Sequence, residues 1–474
     1  MMNLIKSPNL KTVKHILTIN LFSLIFYSIF ISVFDNDLIL GSVKSNDIFF
    51  EYVGFKILLG VLFFISSILV CKISNEKKWL WIILGGGLTA RIILIPTYPV
   101  VENDFYRYLW DGAVSANGIK PYEYSPIEAF EGNTEREVPD ILKQLAAESG
   151  EIIHGINHPH IRTIYPPVAQ VIFAACYFIF PWKIWGLKIF FLLFDLAALY
   201  LIFLLLKKYK KPIIFIFFYW LNPIIIHEFY AAAHMDILLI PFVLSFLFFV
   251  ILRSDYISSI FLSLAAGIKI WPVIFMPALI RNMWSNKRKL FFVLFITAAL
   301  IGIIFIPVLT TFFDRSLGFV VYAQSWTNNE AVFRILNFFI KQFNLIIGFN
   351  YFSSLQLTRW LTGFFFISFL FFYFRKTIKS PEEYFEKILV ITAVLFFISP
   401  TQFPWYFTWV IPFSVFRPKV SLLLYPVFLP LYQLNYLSPY LVYLQHIPIL
   451  ILFLFELRFK KWGDTFGLTE VKGL

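Results

Sequence analysis

Apolar runs of about twenty residues recur along the whole of this chain, and that is the length a helix needs to cross a bilayer core ~30 Å thick. Within hydrocarbon each backbone N–H and C=O must be satisfied inside its own segment, so a chain patterned this way is confined to spanning helices. Composition agrees, with 59% of the 474 residues apolar and 14% charged. A soluble domain carries about a quarter charged residues to cover its surface. The fold class read from the sequence is an all-α polytopic integral membrane protein, a single transmembrane domain over residues 1–474.

The net charge of +12 does not point to nucleic acid, because the basic residues sit in short clusters between apolar runs. Cytoplasmic loops of membrane proteins are marked in that way. The clusters are Lys6/Lys11/Lys14, Lys72/Lys77/Lys78, Lys207/Lys208/Lys210/Lys211, Arg281/Lys287/Arg288/Lys289, Arg375/Lys376/Lys379 and Arg458/Lys460/Lys461. The first apolar run, 16–34, is long and no small-residue cleavage site follows it, so it reads as a retained helix and not a signal peptide. Cys71 and Cys176 lie in apolar stretches without metal-ligand spacing and read as packing residues.

Placing all six clusters inside predicts about eleven to thirteen crossings with the C-terminus inside. The outer segments are then 35–52, where Lys44 faces four acids, and 98–165, 227–236, 309–352 and 399–406. The segment 98–163 carries eleven acidic and five basic residues and is the longest polar stretch. Parity allows one crossing between it and Lys207, so 166–182, bounded by Pro166-Pro167 and Pro181-Trp182, is expected to lie along the outer interface. The run 257–280 has inner flanks on both sides and is too short to cross twice; it reads as two half-helices broken near Lys269 and Pro272. No inner segment is long enough for a domain, so chemistry must be built from outer loops and helix ends.

The outer loop opens with Glu102-Asn103-Asp104 and continues to Asp111. On a helix Asp104, Arg107, Tyr108 and Asp111 share one face. Asp104 so placed can act as general base on a sugar hydroxyl, with Arg107 holding a phosphate or orienting the acid; the same spacing also gives ordinary intrahelical ion pairs. His158, His160, Arg162 and Tyr165 precede the interfacial helix and suit a phosphate headgroup better than zinc, or form a solvated polar loop. His227-Glu228 and His234-Met235-Asp236 fall at an outer turn, where Asp236 faces a cavity or caps a helix. Lys269, midway along an apolar run, needs a partner that a phosphate would supply, unless it snorkels to the interface. Trp405 and Tyr406 are membrane anchors or a stacking platform for a sugar.

In order along the chain stand DFYRYLWDG at 104–112, NGIKPYEYSP at 117–126, NHPHIRTIYPP at 157–167, LNPIIIHEFYAAAHMD at 221–236, GIKIWP at 267–272 and SPTQFPWY at 399–406. Together they resemble the GT-C glycosyltransferases, nearest to bacterial polyprenyl-phosphate-mannose-dependent mannosyltransferases and GPI-mannosyltransferase-like proteins, over about residues 80–415. The resemblance implies a GT-C bundle with a catalytic acid at Asp104 in the first large outer loop, a polyprenyl-phosphate sugar donor, and inversion at the anomeric carbon. Many relatives carry Asp-Asp or Asp-x-Asp where this chain has Glu102-Asn103-Asp104. That pair can still hold magnesium or manganese, but no metal ligand set is assigned.

The expected function is hexose transfer, mannose first, from a polyprenyl-phosphate donor to a glycan or glycolipid acceptor outside a bacterial inner membrane, as part of cell-envelope chemistry. Asp104, Arg107 and Asp111 form the catalytic set. Lys269, Arg162, His160 and His158 hold the donor phosphate, and Tyr165, His234, Asp236, Trp405 and Tyr406 the sugars. Membrane lipids are the surrounding partners. A lipid-linked sugar flippase would use the same cations without needing Asp104, and a structural envelope subunit would bind no lipid phosphate tightly.

Overall fold

In the computed structural model, residues 9–39, 47–73, 76–131, 137–349 and 351–459 are described; Lys6, Lys44, Lys460 and Lys461 lie outside them. Among the described residues the regular structure is helical, with two isolated bridges, Arg162 to Leu317 and Asn328 to Thr401, and no strand. Six helices are long and apolar enough to cross a membrane: Leu10–Phe34, Asp47–Ile73, Ile184–Lys208, Lys287–Leu309, Ser354–Tyr373 and Leu441–Arg458. A seventh is available if Ile213–Trp220 and Pro223–Ala231, bent by 49°, count as one span. The protein is thus a polytopic α-helical membrane protein.

The expected eleven to thirteen crossings exceed this number because proline divides several apolar runs. The run 405–417 becomes Pro404–Trp409 and Ile411–Ser414, and the run 420–436 becomes Val420–Leu424, Tyr425–Val427 and Leu429–Leu434. Each proline removes an N–H that the helix ladder needs. Lys77–Leu94 and Pro381–Ile398 are 18 residues each but carry charged residues at their starts.

The chain divides into two compact units. One comprises the residues to Val100, Leu199–Ala231 and those from Phe403. Several of its buried polar groups are paired, as a dry interior favours. Arg91, fully buried, donates to the carbonyls of Gly87 and Trp220 at 2.9 and 2.8 Å and lies 3.5 Å over the Trp220 ring. His227, at the head of a π-helical turn, sits between the hydroxyls of Tyr27 and Tyr52 at 2.8 and 3.0 Å.

The other unit comprises Val101–Ala198 and Ala232–Gln402. Here the polar stretch folds into helices Asp104–Ala116, Pro126–Glu131, Asp140–Ser149 and Glu151–His154, closed over Trp110, Val114, Leu142, Leu145 and Ile153. Helix Pro167–Ile179 packs on Asp104–Ala116 and buries Ala169, Gln170, Ile172, Phe173 and Cys176. Its other side exposes Val171, Phe178 and Ile179. Thirteen residues reach about 20 Å, too short to span. The pair is close because Gly112 lacks a side chain: a Cβ there would stand 2.6 Å from the Phe173 carbonyl oxygen.

The region 255–282 is two half-helices, Asp255–Ala266 and Met276–Asn282, joined through a turn and the 3-10 segment Trp271–Phe275. The break falls at the expected place, and Lys269 stands in it. The Gly267 carbonyl accepts from Val168 N–H at 2.8 Å, which ties this break to the start of the Pro167–Ile179 helix. Further on, Val332–Ile347 buries Phe333 while Phe338, Phe339, Phe343 and Ile346 remain exposed, the pattern of a helix lying in a membrane interface.

Candidate active site

Asp104 is the first residue of the helix Asp104–Ala116. Its entry is fixed by Asn103, whose amide donates to Asn157 Oδ1 at 2.8 Å. A carboxylate oxygen of Asp104 lies 3.9 Å from His234 Nδ1, and His234 itself is fully buried. Lys269 reaches from the half-helix break to pair with Asp236 at 2.6 Å. The sequence separations 104, 234–236 and 269 are thereby closed into one cluster.

Asp104 keeps 31% of its side chain exposed, so a substrate can reach it. The carboxyl is nevertheless pushed up to about 6, chiefly because protein surrounds it; Lys269 pulls it down, Asp236 pushes it up and the Asn157 hydrogen bond lowers it. An acid tuned to that range is ionised at neutral pH and still basic enough to accept a proton. Beside it stand two phenols. Tyr108 lies 5.0 Å from Tyr165 edge to face and stacks on Phe173 at 5.0 Å. Burial raises both hydroxyls well above their usual value, and Asp104 adds to the rise. Both therefore remain neutral hydrogen-bonding groups.

Arg107 and Asp111 follow Asp104 on the same helix. Arg107 Nε donates to Asp111 at 2.8 Å and its Nη1 to the Ile161 carbonyl at 2.9 Å. The other Asp111 oxygen accepts from Thr163 and, at 3.0 Å, from Gln170. Asp111 is 0% exposed and its oxygens are engaged. Arg107 and Asp111 are thus tied to neighbouring protein groups, an arrangement that suits the part expected of them, positioning Asp104.

Arg162 is 3% exposed and bonds to Ser316 at 2.9 Å, the Tyr122 carbonyl at 2.9 Å, Thr311 at 3.1 Å, the Phe312 carbonyl at 2.7 Å and Asp314 at 2.9 Å. Its donors are engaged within the protein, where it joins two loops. His158 and His160 are exposed, with ring centroids 6.1 Å apart. His158 holds a left-handed φ of 52° and meets Trp326 edge-on at 4.9 Å; burial and then His160 lower its basicity.

Trp405 and Tyr406 belong to the other unit. Trp405 is 6% exposed and stacks on Phe403 at 4.3 Å, and Tyr406 stacks on Trp409 at 4.3 Å. The Phe403 ring covers the indole face expected to meet a sugar. Among the described residues no three His, Cys, Asp or Glu side chains converge to hold a metal ion, Glu102 and Asp104 included.

Sequence reasoning missed Thr163, Gln170 and Asn157. Gln170 left a signal, as a lone amide in the apolar run Val168–Cys176. Thr163 and Asn157 left none.

Residues 91–285 match the family model of the alpha-(1->6)-mannopyranosyltransferase, N-terminal domain, of the MptA/B family. The match covers less than half of the 474 residues, yet takes in the first five of the six motifs and the whole Asp104, Asp236 and Lys269 cluster. No curated relative and no solved structure matches the chain. Over this stretch the chain is similar to that mannosyltransferase family, which supports a glycosyltransferase of mannosyl-transferring kind.

Proposed function

We propose that the chain transfers a hexose, mannose first among candidates, from a polyprenyl-phosphate donor to a glycan or lipid acceptor on the extracytoplasmic side, with inversion. The observation that carries this reading is Asp104: an accessible carboxylate tuned to about 6, facing a Lys269–Asp236 pair, inside a stretch of mannosyltransferase kind. In a single displacement Asp104 takes the proton of an acceptor hydroxyl as that oxygen attacks the anomeric carbon. The bond from that carbon to the phosphate oxygen breaks, and the electron pair leaves with the polyprenyl phosphate. Lys269 offsets the departing charge, and the exposed His158 and His160 are further candidate donors. Tyr108 and Tyr165 offer neutral hydroxyls, and His234 its ring nitrogens, as hydrogen-bonding groups for sugar hydroxyls. A phosphate is a good leaving group, so the step requires no general acid.

The test is transfer of radiolabelled mannose from polyprenyl-phosphate-mannose to endogenous acceptors in membranes. Asp104→Asn should lose about 10²–10⁴-fold, the usual contribution of a general base. Near-normal transfer by that variant would remove Asp104 from the mechanism. Intact donor binding with no transfer by either protein would favour lipid-linked sugar translocation instead.

A further inference from the structure

A second concavity lies apart from the Asp104 cluster, between the segment 313–324 and the start of helix Ser354–Tyr373. It encloses about 540 Å³, within the range of small-ligand sites. Three of its lining residues are charged: Asp314, Arg315 and Arg359. Asp314 is already balanced. It pairs with Arg162 at 2.9 Å and accepts from Ser316 N–H and Oγ at 2.7 Å, and the Ser316 and Arg162 contacts together hold its carboxyl below the usual value although its partial burial opposes them. Two guanidiniums line the cavity, those of Arg315 and Arg359, the latter also within the field of the Glu330 carboxylate. Arg315 is exposed and makes no ion pair among the described residues. Arg359 donates one Nη to the Trp326 carbonyl, while its buried Nε has no hydrogen-bond partner among the described residues.

The remaining lining suits a sugar. Gln356 uses its carbonyl oxygen on Ser353 in the helix cap, which leaves its amide N–H groups to donate. Gln324 adds a second exposed amide. Trp360, 55% exposed, offers a ring face against which a pyranose can lie. Guanidinium forks match phosphate and carboxylate, amides read hydroxyls, and an indole covers the apolar face of a ring. That set describes a saccharide carrying a negative charge.

The cavity is also mechanically joined to the base. Arg162 clamps Asp314, and its neighbour Thr163 donates to Asp111, the anchor of the Asp104 helix. We propose that this cavity binds an anionic glycan, a saccharide bearing phosphate or carboxylate, at a place separate from the Asp104 cluster.

Binding is measured by titration calorimetry on the purified full-length chain in detergent, with Asp104→Asn so that no turnover intervenes. Probes are mannose, mannose 6-phosphate, glucuronic acid and inorganic phosphate. Mannose 6-phosphate or glucuronic acid should bind at least about tenfold more tightly than mannose, and the tighter of the two identifies which anion the site takes. Arg315→Gln, an exposed change outside the packed structure, should erase that advantage, and Arg359→Gln should do the same. An advantage that survives Arg315→Gln in a normally melting protein overturns the proposal. So does inorganic phosphate binding as tightly as the sugar phosphate, which would mark a bare anion site. Because binding is read without transfer, a negative result here leaves the Asp104 mechanism standing, and failure of that mechanism leaves the binding result readable.

Discussion

Replacing Lys269 by Gln acts on both the base and the leaving group, in ways that pH separates. Asp104 stands at about 6 through burial, a downward pull from Lys269 and an upward push from Asp236. Lys269 also neutralises Asp236 at 2.6 Å, so removing the cation raises Asp104 by two routes. A unit charge ~6 Å away in an effective dielectric of ~20 is worth ~3 kcal/mol, or ~2 pKa units. With 31% of the Asp104 side chain exposed, water screens part of that, and a rise of about one unit is expected.

The base must be ionised to work, so activity is present above its pKa and is lost as pH falls through it. Wild type is then about nine-tenths competent at pH 7 and the variant about half. The assay is kcat/KM for mannosyl transfer across pH 5 to 9, which reports ionisations of the free enzyme. The acid limb should move from about 6 to about 7. On the alkaline plateau both carboxylates are ionised, and the remaining deficit, about 10²–10³-fold, measures the charge Lys269 supplies to the departing phosphate. Asp236→Asn should move the limb the other way, below its wild-type position, because it removes the upward push and leaves Lys269 unbalanced. Acid limbs that coincide in all three proteins would refute Asp104 as the titrating base.

Asp111→Asn leaves Arg107 buried without its counter-charge and should cost about 3–5 kcal/mol, read as a lower melting temperature in detergent with transfer reduced in proportion to the folded fraction lost and to the misplacement of Asp104. Arg162→Gln should lower the melting temperature through loss of the clamp on Thr311, Asp314 and Ser316, yet leave the donor KM of the surviving enzyme near wild type; a large rise in donor KM at normal stability would mark Arg162 as a phosphate ligand. Gly112→Ala drives a Cβ to 2.6 Å from a backbone oxygen of the neighbouring helix; overpacking of this kind costs about 1–3 kcal/mol, and an unchanged melting temperature would contradict the close approach.

What the sequence disclosed was local. Apolar run length announced the membrane class, and Pro166-Pro167 with Pro181 announced a helix too short to span. A lysine and a proline inside one apolar run announced the break that holds Lys269. Asp104, Arg107 and Asp111 were legible as one helical face because spacing alone fixes it. Helix count was less legible, since hydropathy does not register the prolines that cut 405–436 into 3-10 and α pieces. The bonding of Arg162 was illegible for a different reason. Its partners come from 122 and from 311–316, and nothing within a few residues of it announces them.

That last contrast bears on how the site works. A positioning residue and a substrate ligand can present the same side chain in sequence; what separates them is whether their polar atoms are already used. Asp111 and Arg162 have theirs occupied by protein, whereas Asp104 keeps a face open and carries a raised pKa. The stability of the clamps holds the Asp104 helix in place, and the strain of a partly desolvated carboxylate is confined to the one residue proposed to take a proton. Exchanging that order, by freeing Asp111 or filling the space beside Asp104, should therefore lose transfer and stability by separate amounts, each measurable in its own assay.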